Sequence, residues 1–100
     1  MEIKRTAVAG TLESSDVQVT IEPGDEGLEL ELSSSVINQY GRRIREVAFE
    51  VLGELGVDSA RVSIVDKGAL DCTIRARIGC AVFRACEVTD NYPWGEVIKP

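Results

Sequence analysis

The sequence predicts an α+β domain in which two helices pack on one face of a largely antiparallel sheet of about five strands. Three observations support this fold class. Short runs in which apolar and polar residues alternate lie on both sides of a longer segment with helical periodicity. The strands are grouped apart from the helices, which favours an antiparallel sheet. The chain has 100 residues, the usual size of one domain, and we expect that domain to span residues 1–100.

The first strands lie before and after a loop rich in turn-forming residues. Apolar residues alternate with polar ones over residues 17–21 and again over residues 28–32, which is the period of a half-buried strand. The intervening "EPGDEG" contains the proline and glycines typical of turns, so the two runs are predicted to form a hairpin. Residues 3–12 predict a weaker strand, which we expect to loosen at Ala9 and Gly10.

Helical periodicity follows this predicted hairpin. Apolar residues recur at spacings of three and four, at Ile37, Tyr40, Ile44, Val47, Ala48, Val51, Leu52 and Leu55. The serines at positions 33–35 can cap the first turn, and Gly56 is placed to end the helix in a left-handed conformation. Arg42 and Glu46 lie one turn apart and can form an ion pair on the solvent face.

Residues 60–86 admit two interpretations. Val62 and Ile64 predict a strand before "DKGAL", and alternation after it predicts a returning strand through Arg77, followed by a helix from Ile78 to Cys86. The alternative is one long helix, whose apolar face would consist of Leu70, Ile74, Ile78, Ala81, Val82 and Ala85. Periodicity does not decide between them, and we favour the second hairpin.

The tail from Glu87 holds two prolines and one tryptophan and is predicted to be mostly irregular. Tyr92 and Trp94 flank one of these prolines. Both aromatic residues are equally compatible with anchoring a partner protein and with packing against the core of their own domain.

Charge and cysteine content exclude several classes of protein. The net charge is −6, and the negative excess lies in residues 1–40, which argues against nucleic acid or an anionic membrane as a partner. No apolar run is long enough to cross a bilayer, and the N-terminus lacks a secretion-signal pattern, so we expect a cytoplasmic protein. The cysteines match neither a disulfide scaffold nor a zinc motif; we expect small, partly buried thiols at Cys72, Cys80 and Cys86.

The absence of histidine removes much enzyme chemistry, because Ser-His-carboxylate triads and histidine-bearing zinc motifs are excluded. The glycines also match no phosphate-binding loop. Two arrangements stay formally open: Ser14 with Lys4 or Lys67, and the carboxylate pairs Glu13–Asp16 and Asp66–Asp71. No feature indicates a lysine of lowered pKa, and an acidic chain supplies carboxylate pairs by chance. Glu13 and Asp16 are equally well explained as solvated loop charges, and Asp66 as a turn-stabilising residue.

Two adjacent serines in "AGTLESSD" lie in a predicted loop at the end of a strand. Without an activating base, Ser14 or Ser15 is a poor nucleophile, but a separate enzyme can modify an exposed hydroxyl there. The alternative is a pair of turn-forming serines that bond to their own backbone.

The stretch "AVAGTLESSD", followed by an acidic strand pair, a helix preceded by serines and "DKGALDCTIRAR", resembles the acyl carrier protein, or gamma subunit, of citrate lyase over nearly the whole chain. The resemblance implies a non-catalytic subunit with a covalent 2'-(5''-triphosphoribosyl)-3'-dephospho-CoA group. It further implies a phosphodiester at Ser14, the serine that follows "GTLE". The thiol of this group would carry acetyl and citryl between the transferase (alpha) and lyase (beta) subunits, after attachment by a prosthetic-group transferase.

Two other functions stay open beside this resemblance. The carrier subunit of malonate decarboxylase belongs to a related family with the same kind of prosthetic group, and an unmodified acidic adaptor domain is a different class of protein. Fatty-acid carriers resemble four-helix bundles with a "DSL" motif, which this chain lacks, so a different carrier fold is expected. For "DKGALD" we expect turn geometry in the second hairpin, with docking to the larger subunits as the alternative; no chemical task is assigned to Asp66, Lys67 or Asp71.

Overall fold

The computed structural model of the chain describes residues 2–34 and 37–86, and for residues 37–40 the backbone alone. Within these ranges the elements are β1 (Ala7–Gly10), β2 (Val17–Glu22), β3 (Leu28–Ser34), α1 (Ile37–Glu54), β4 (Ala60–Asp66) and α2 (Asp71–Ala85). The strand order is β1-β2-β4-β3; the β1–β2 and β2–β4 pairs are antiparallel, and the β3–β4 pair is parallel. The predicted α+β class, with a mostly antiparallel sheet and two helices, is confirmed, but the described residues form four strands.

The predicted hairpin between residues 17–21 and 28–32 is wrong, because β4 lies between β2 and β3 in the sheet. Ile64 of β4 is paired with Val19 on one side and with Leu32 on the other. Alternation identifies the buried face of a strand but carries no information about its neighbour. Parallel strands need a long crossover, and α1 provides it between β3 and β4.

The first strand is shorter than predicted and lies nearer the serines. β1 begins at Ala7 and runs to Gly10, whereas a loosening at Ala9 and Gly10 was expected. Ala9 is fully buried and pairs with Val19 of β2. The small residues therefore reflect close packing rather than a weak strand.

The core lies on one face of the sheet, under both helices. Val17, Val19 and Ile21 of β2 are fully buried, as the predicted alternation requires. Both helices contact this face, α1 through β3 and α2 through β1 and β2. The opposite face is polar, and Arg61 there forms ion pairs with Glu22 and Glu29.

Helix α1 buries the predicted apolar stripe at Ile44, Val47, Ala48, Val51 and Leu52; the side chains of Ile37 and Tyr40 lie outside the described residues. Gly56 adopts φ 68°, and the N–H of Val57 donates to the carbonyl of Leu52, so the predicted left-handed helix end is confirmed.

Two predicted details of the first turns of α1 differ in the structure. Ser33 and Ser34 belong to β3 instead of capping the helix, and Ser35 lies outside the described residues. Arg43, not Arg42, forms the ion pair with Glu46, at 3.8 Å.

The second hairpin is also wrong, and the alternative of one long helix is confirmed: α2 spans Asp71–Ala85. Its buried face contains Ile74, Ile78, Ala81, Val82 and Ala85. Gly68, two residues after the end of β4, adopts φ 90°, and α2 begins three residues later, so no returning strand follows β4. Leu70, the first residue of the predicted face, lies before the helix and is 71% exposed. "DKGAL" is therefore a strand-to-helix loop.

Residues 87–100 lie outside the described residues, so the predictions of an irregular tail and of either role for Tyr92 and Trp94 stay predictions. In the part of the chain that the structure describes, neither helix has the length and apolar character needed to cross a membrane.

Gly53 offers a simple gain in stability. It lies in the last turn of α1, and a β-carbon added there meets no atom within 4 Å. We expect Gly53→Ala to raise the unfolding free energy by about 1 kcal/mol, because alanine loses less backbone entropy than glycine in a helix. Thermal melting should show a midpoint about 4–8 °C higher.

Gly24→Ala is the control for the Gly53 variant. Its β-carbon would lie 3.0 Å from backbone atoms of Ala60, so the same substitution should lower the melting temperature. A Gly53→Ala variant that melts below the wild type would contradict the prediction.

Candidate functional site

The two serines lie on the loop between β1 and β2, which we call the serine loop (residues 11–16). Ser14 and Ser15 are both exposed, and Ser15 adopts φ 66°, so the chain reverses direction at this residue. Gly10, at the entrance to the loop, has φ 90°, and a β-carbon there would lie 1.8 Å from the carbonyl oxygen of Val17. Only glycine fits at this position, because the two ends of the loop approach each other so closely.

Asp16 at the end of the serine loop is held by a forked ion pair to α2. The Arg77 guanidinium donates from Nε to Asp16 Oδ1 at 3.1 Å and from Nη2 to Oδ2 at 3.0 Å. The Thr11 hydroxyl donates to Oδ2 at 2.6 Å, and the N–H of Val17 donates to Oδ1 at 2.7 Å. We call Asp16, Arg77 and Thr11 the Asp16 clamp.

The Asp16 clamp keeps the Asp16 carboxylate in its ionised form. The hydrogen bond from Arg77, followed by those from Thr11 and Val17, holds the pKa of Asp16 well below its usual range. The interpretation of Asp16 as a solvated loop charge is wrong, because its side chain is only 14% exposed and is fully bonded. The sequence pattern gave no sign of a role for Arg77, the last residue of the predicted returning strand.

The serine loop and the "DKGALD" segment lie side by side. The N–H of Ser15 donates to the carbonyl of Lys67 at 2.8 Å, and the N–H of Lys67 donates to the carbonyl of Asp16 at 2.9 Å. These bonds continue the β2–β4 ladder beyond the pair of Val17 with Asp66. The two most distinctive motifs of the sequence therefore form one surface around Ser14.

Asp66 organises the second of these loops from inside the protein. Its side chain is 1% exposed, and it accepts hydrogen bonds from the Ser34 hydroxyl at 2.8 Å, the Gly68 N–H at 3.1 Å and the Ala69 N–H at 3.0 Å. The predicted turn-stabilising role of Asp66 is confirmed, although the turn leads into a helix. Asp71 is exposed and pairs with Arg43 at 3.0 Å, so the Asp66 and Asp71 carboxylates bind different partners.

Among residues 2–34 and 37–86, no hydrogen bond or ion pair joins the Ser14 side chain to Lys4, to Lys67 or to a carboxylate. The N–H of Lys4 binds Ala85, at the opposite end of α2 from the serine loop. Lys67 is adjacent through its backbone, but among the described residues no side-chain hydrogen bond joins it to Ser14. Within residues 2–34 and 37–86 no cluster of cysteine and carboxylate side chains could hold a metal ion.

The cysteines are free thiols in three different environments: Cys72 is exposed, Cys80 is half-buried and Cys86 is buried. Burial raises the pKa of the Cys86 thiol.

Comparison with known proteins gives a consistent result. The family model described as the malonate decarboxylase delta subunit (MdcD) matches residues 4–85. The chain is 55% identical over 98 residues to the citrate lyase acyl carrier protein of Streptococcus mutans, covering 97% of this chain and 95% of that protein. It is 53% identical over 89 residues to the protein of the same description from Lactiplantibacillus plantarum, covering 89% and 93%.

Among solved structures, the chain is similar to a chain in the crystal structure of a Pseudomonas malonate decarboxylase hetero-tetramer in complex with malonate. The TM-score is 0.73 at 24% sequence identity, with 83% of this chain and 86% of that chain covered. This likeness shows a shared fold. With identities above 50% along nearly its whole length, the chain belongs to the citrate lyase acyl carrier protein family, within the wider family that the malonate decarboxylase model describes.

Proposed function

We propose that this chain is the acyl carrier subunit of citrate lyase and that Ser14 carries the covalent group 2'-(5''-triphosphoribosyl)-3'-dephospho-CoA. The observation that supports Ser14 is its position: it is exposed on the serine loop, directly after "GTLE", and among the described residues no hydrogen bond joins its side chain to a basic group. An attachment serine needs access for a modifying enzyme and must not react by itself. Ser14 meets both requirements.

The surroundings of Ser14 fit a phosphodiester. Residues 11–15 are all exposed, so a group linked to the Ser14 hydroxyl oxygen can extend into solvent. The charge of Asp16 is balanced by Arg77, and the exposed cation Lys67 on the adjacent loop offsets the exposed carboxylate of Glu13 next to Ser14. The attached group would supply a thiol for thioester chemistry, whereas the chain itself supplies the attachment point and its presentation.

A tethered carrier has a physical advantage over a diffusible one. A thioester on an arm reaches a second active site at high effective concentration, because the tether limits the volume that the arm explores. The chain therefore contributes to the reaction by carrying acetyl and citryl groups between the transferase (alpha) and lyase (beta) subunits. It contributes no acid, base or nucleophile of its own.

The proposed partners are the alpha and beta subunits and the transferase that attaches the prosthetic group. We locate the assembly in the cytoplasm, since the three free thiols suit a reducing compartment. The carrier of malonate decarboxylase is the second candidate, favoured by the family model and by the shared fold. Sequence identities of 53–55% to citrate lyase carriers support the first assignment.

The test is the intact mass of the chain from cells that also make the citrate lyase attachment enzymes. Wild type should gain one prosthetic-group increment, and Ser14→Ala should lose it completely. Ser15→Gly is the matched control: it removes the neighbouring hydroxyl, while glycine accepts the φ of 66° found there. This control should be modified like wild type.

Each other outcome has a definite meaning for the proposal. An increment that survives in Ser14→Ala but disappears in Ser15→Gly would move the site to Ser15. An unmodified wild type under these conditions would instead favour the adaptor function.

A further inference from the structure

We infer that Arg77 is a positioning residue for Ser14: by holding Asp16, it fixes the serine loop in the conformation that the attachment enzyme recognises. This inference rests on the proposed function of Ser14.

The serine loop has almost no apolar burial to hold its shape. Residues 11–15 are all exposed, and Leu12, its one large apolar side chain, is 54% exposed. A segment without buried contacts samples many conformations unless hydrogen bonds restrict it. The conformation around Ser14 therefore depends on polar contacts.

Those polar contacts converge on Asp16. The Thr11 hydroxyl at the start of the loop donates to the Asp16 carboxylate at the end, which closes the loop around Ser14. The Thr11 oxygen also accepts the N–H of Glu13 at 3.2 Å, and the N–H of Asp16 donates to the Glu13 carbonyl at 3.1 Å. These bonds link Thr11, Glu13 and Asp16 into a hydrogen-bonded ring. A displacement of the Asp16 carboxylate would break the bond that joins the start of the serine loop to its end.

Arg77 connects the ring to the rigid part of the molecule. It is the only side-chain donor to Asp16 in the described residues that comes from outside the loop and its adjoining strand. Arg77 belongs to α2, whose neighbouring residues Ile74 and Ile78 are buried in the core. Its two parallel hydrogen bonds also set the orientation of the carboxylate, which a single contact would not do.

The expected consequence is a preorganised attachment site. An enzyme that binds an ordered loop avoids the entropy cost of fixing a flexible one. Loss of the Arg77 contact should therefore weaken recognition of the carrier and raise KM more than it lowers kcat. Ser14 itself remains present and accessible in such a variant.

The experiment follows the mass increase of purified unmodified carrier with the prosthetic-group transferase and its activated donor, over a range of carrier concentrations. All variants are assayed at a temperature where circular dichroism shows them folded. For Arg77→Ala we expect kcat/KM for the carrier to fall about tenfold or more, mainly through KM. Arg77→Lys should be intermediate, because an ammonium cannot make the forked pair. Asp16→Ala combined with Arg77→Ala should be no worse than Asp16→Ala alone, since Asp16→Ala already removes the Arg77 contact together with the bonds from Thr11 and Val17.

Arg75→Ala is the matched control. Arg75 lies on the same helix and forms ion pairs with Glu50 and Glu54 of α1, away from the serine loop. Its loss should affect stability in a similar way and leave attachment kinetics unchanged. Amide hydrogen exchange of residues 11–16 provides a second readout, and it should accelerate in Arg77→Ala but not in Arg75→Ala.

Two results overturn the inference alone while wild type is still modified. The first is a kcat/KM of the Arg77→Ala variant equal to that of the wild type. The second is an equal fall of kcat/KM in Arg75→Ala, which would mean a purely structural effect. A wild-type chain that gains no mass overturns the proposed function as well, so the two failures are distinguishable.

Discussion

Replacing Asp66 with alanine is expected to lower the free energy of unfolding by about 4 kcal/mol. The carboxylate is 1% exposed and accepts hydrogen bonds from Ser34, Gly68 and Ala69. Its removal deletes the acceptor of the Gly68 and Ala69 N–H groups and breaks the bond from Ser34. A buried donor that loses its acceptor and that water cannot reach costs about 1–3 kcal/mol. The free energy of unfolding of such a domain is about 5–15 kcal/mol in total, so this one side chain contributes a large share of the stability.

Urea unfolding followed by circular dichroism measures the effect, and two variants calibrate it. Asp66→Asn keeps one acceptor oxygen and should lose about half as much. Asp71→Ala removes the other acid of "DKGALD", which is exposed and pairs with Arg43; it should cost no more than about 1 kcal/mol. Equal losses for Asp66→Ala and Asp71→Ala would show that burial and loop bonding of Asp66 do not matter.

Gly10→Ala is the second change with a large expected effect, a loss of about 3 kcal/mol or more. Two causes add. Residue 10 has φ 90°, which L side chains rarely adopt, and the new β-carbon would lie 1.8 Å from the carbonyl oxygen of Val17. Gly10 is paired with Gln18 in the β1–β2 ladder and Val17 is paired with Asp66 in the β2–β4 ladder, so neither residue can move without breaking strand pairing. The serine loop would be displaced with it.

Gly27→Ala separates the two causes. Gly27 has φ 72°, so it carries the same conformational penalty, but nothing lies within 4 Å of its added β-carbon. We expect a loss of about 1 kcal/mol there. Thermal melts of both variants give the comparison, and similar losses would rule out the steric contact at Val17 as the main cause.

Local pattern predicted the elements better than their arrangement. The buried faces of β2 and β4 and the stripe of α1 follow from alternation and helical spacing, and the structure confirms them. Contacts between distant segments determine which strands are neighbours, so the position of β4 between β2 and β3 could not be predicted from local pattern. The predicted strand at residues 72–77 was wrong for another reason. Cys72, Ile74 and Ala76 alternate over a stretch too short to distinguish a strand from a helix.

For the candidate site too, local sequence features were predictable and contacts between distant residues were not. The predicted loop and the absence of histidine indicated Ser14 or Ser15 as a modification site, and only the resemblance to citrate lyase carriers singled out Ser14. The predicted exposure of both serines is confirmed, and attachment at Ser14 stays a prediction. The contact between Asp16 and Arg77 joins residues 61 positions apart, and one sequence contains no sign of it. Nor could it show that "AGTLESSD" and "DKGALD" lie side by side, because both belong to loops whose positions follow from strand order.

The order of the strands has a consequence for biosynthesis. The serine loop is synthesised early, but its contacts outside β1 and β2 come from Lys67 and Arg77, which leave the ribosome much later. β2 likewise stays without its second neighbour until β4 has been made. An attachment enzyme that requires the clamped loop would thus ignore nascent and misfolded chains. Acquisition of the arm would then mark a carrier that has completed folding, and only such carriers would be loaded with an acyl group.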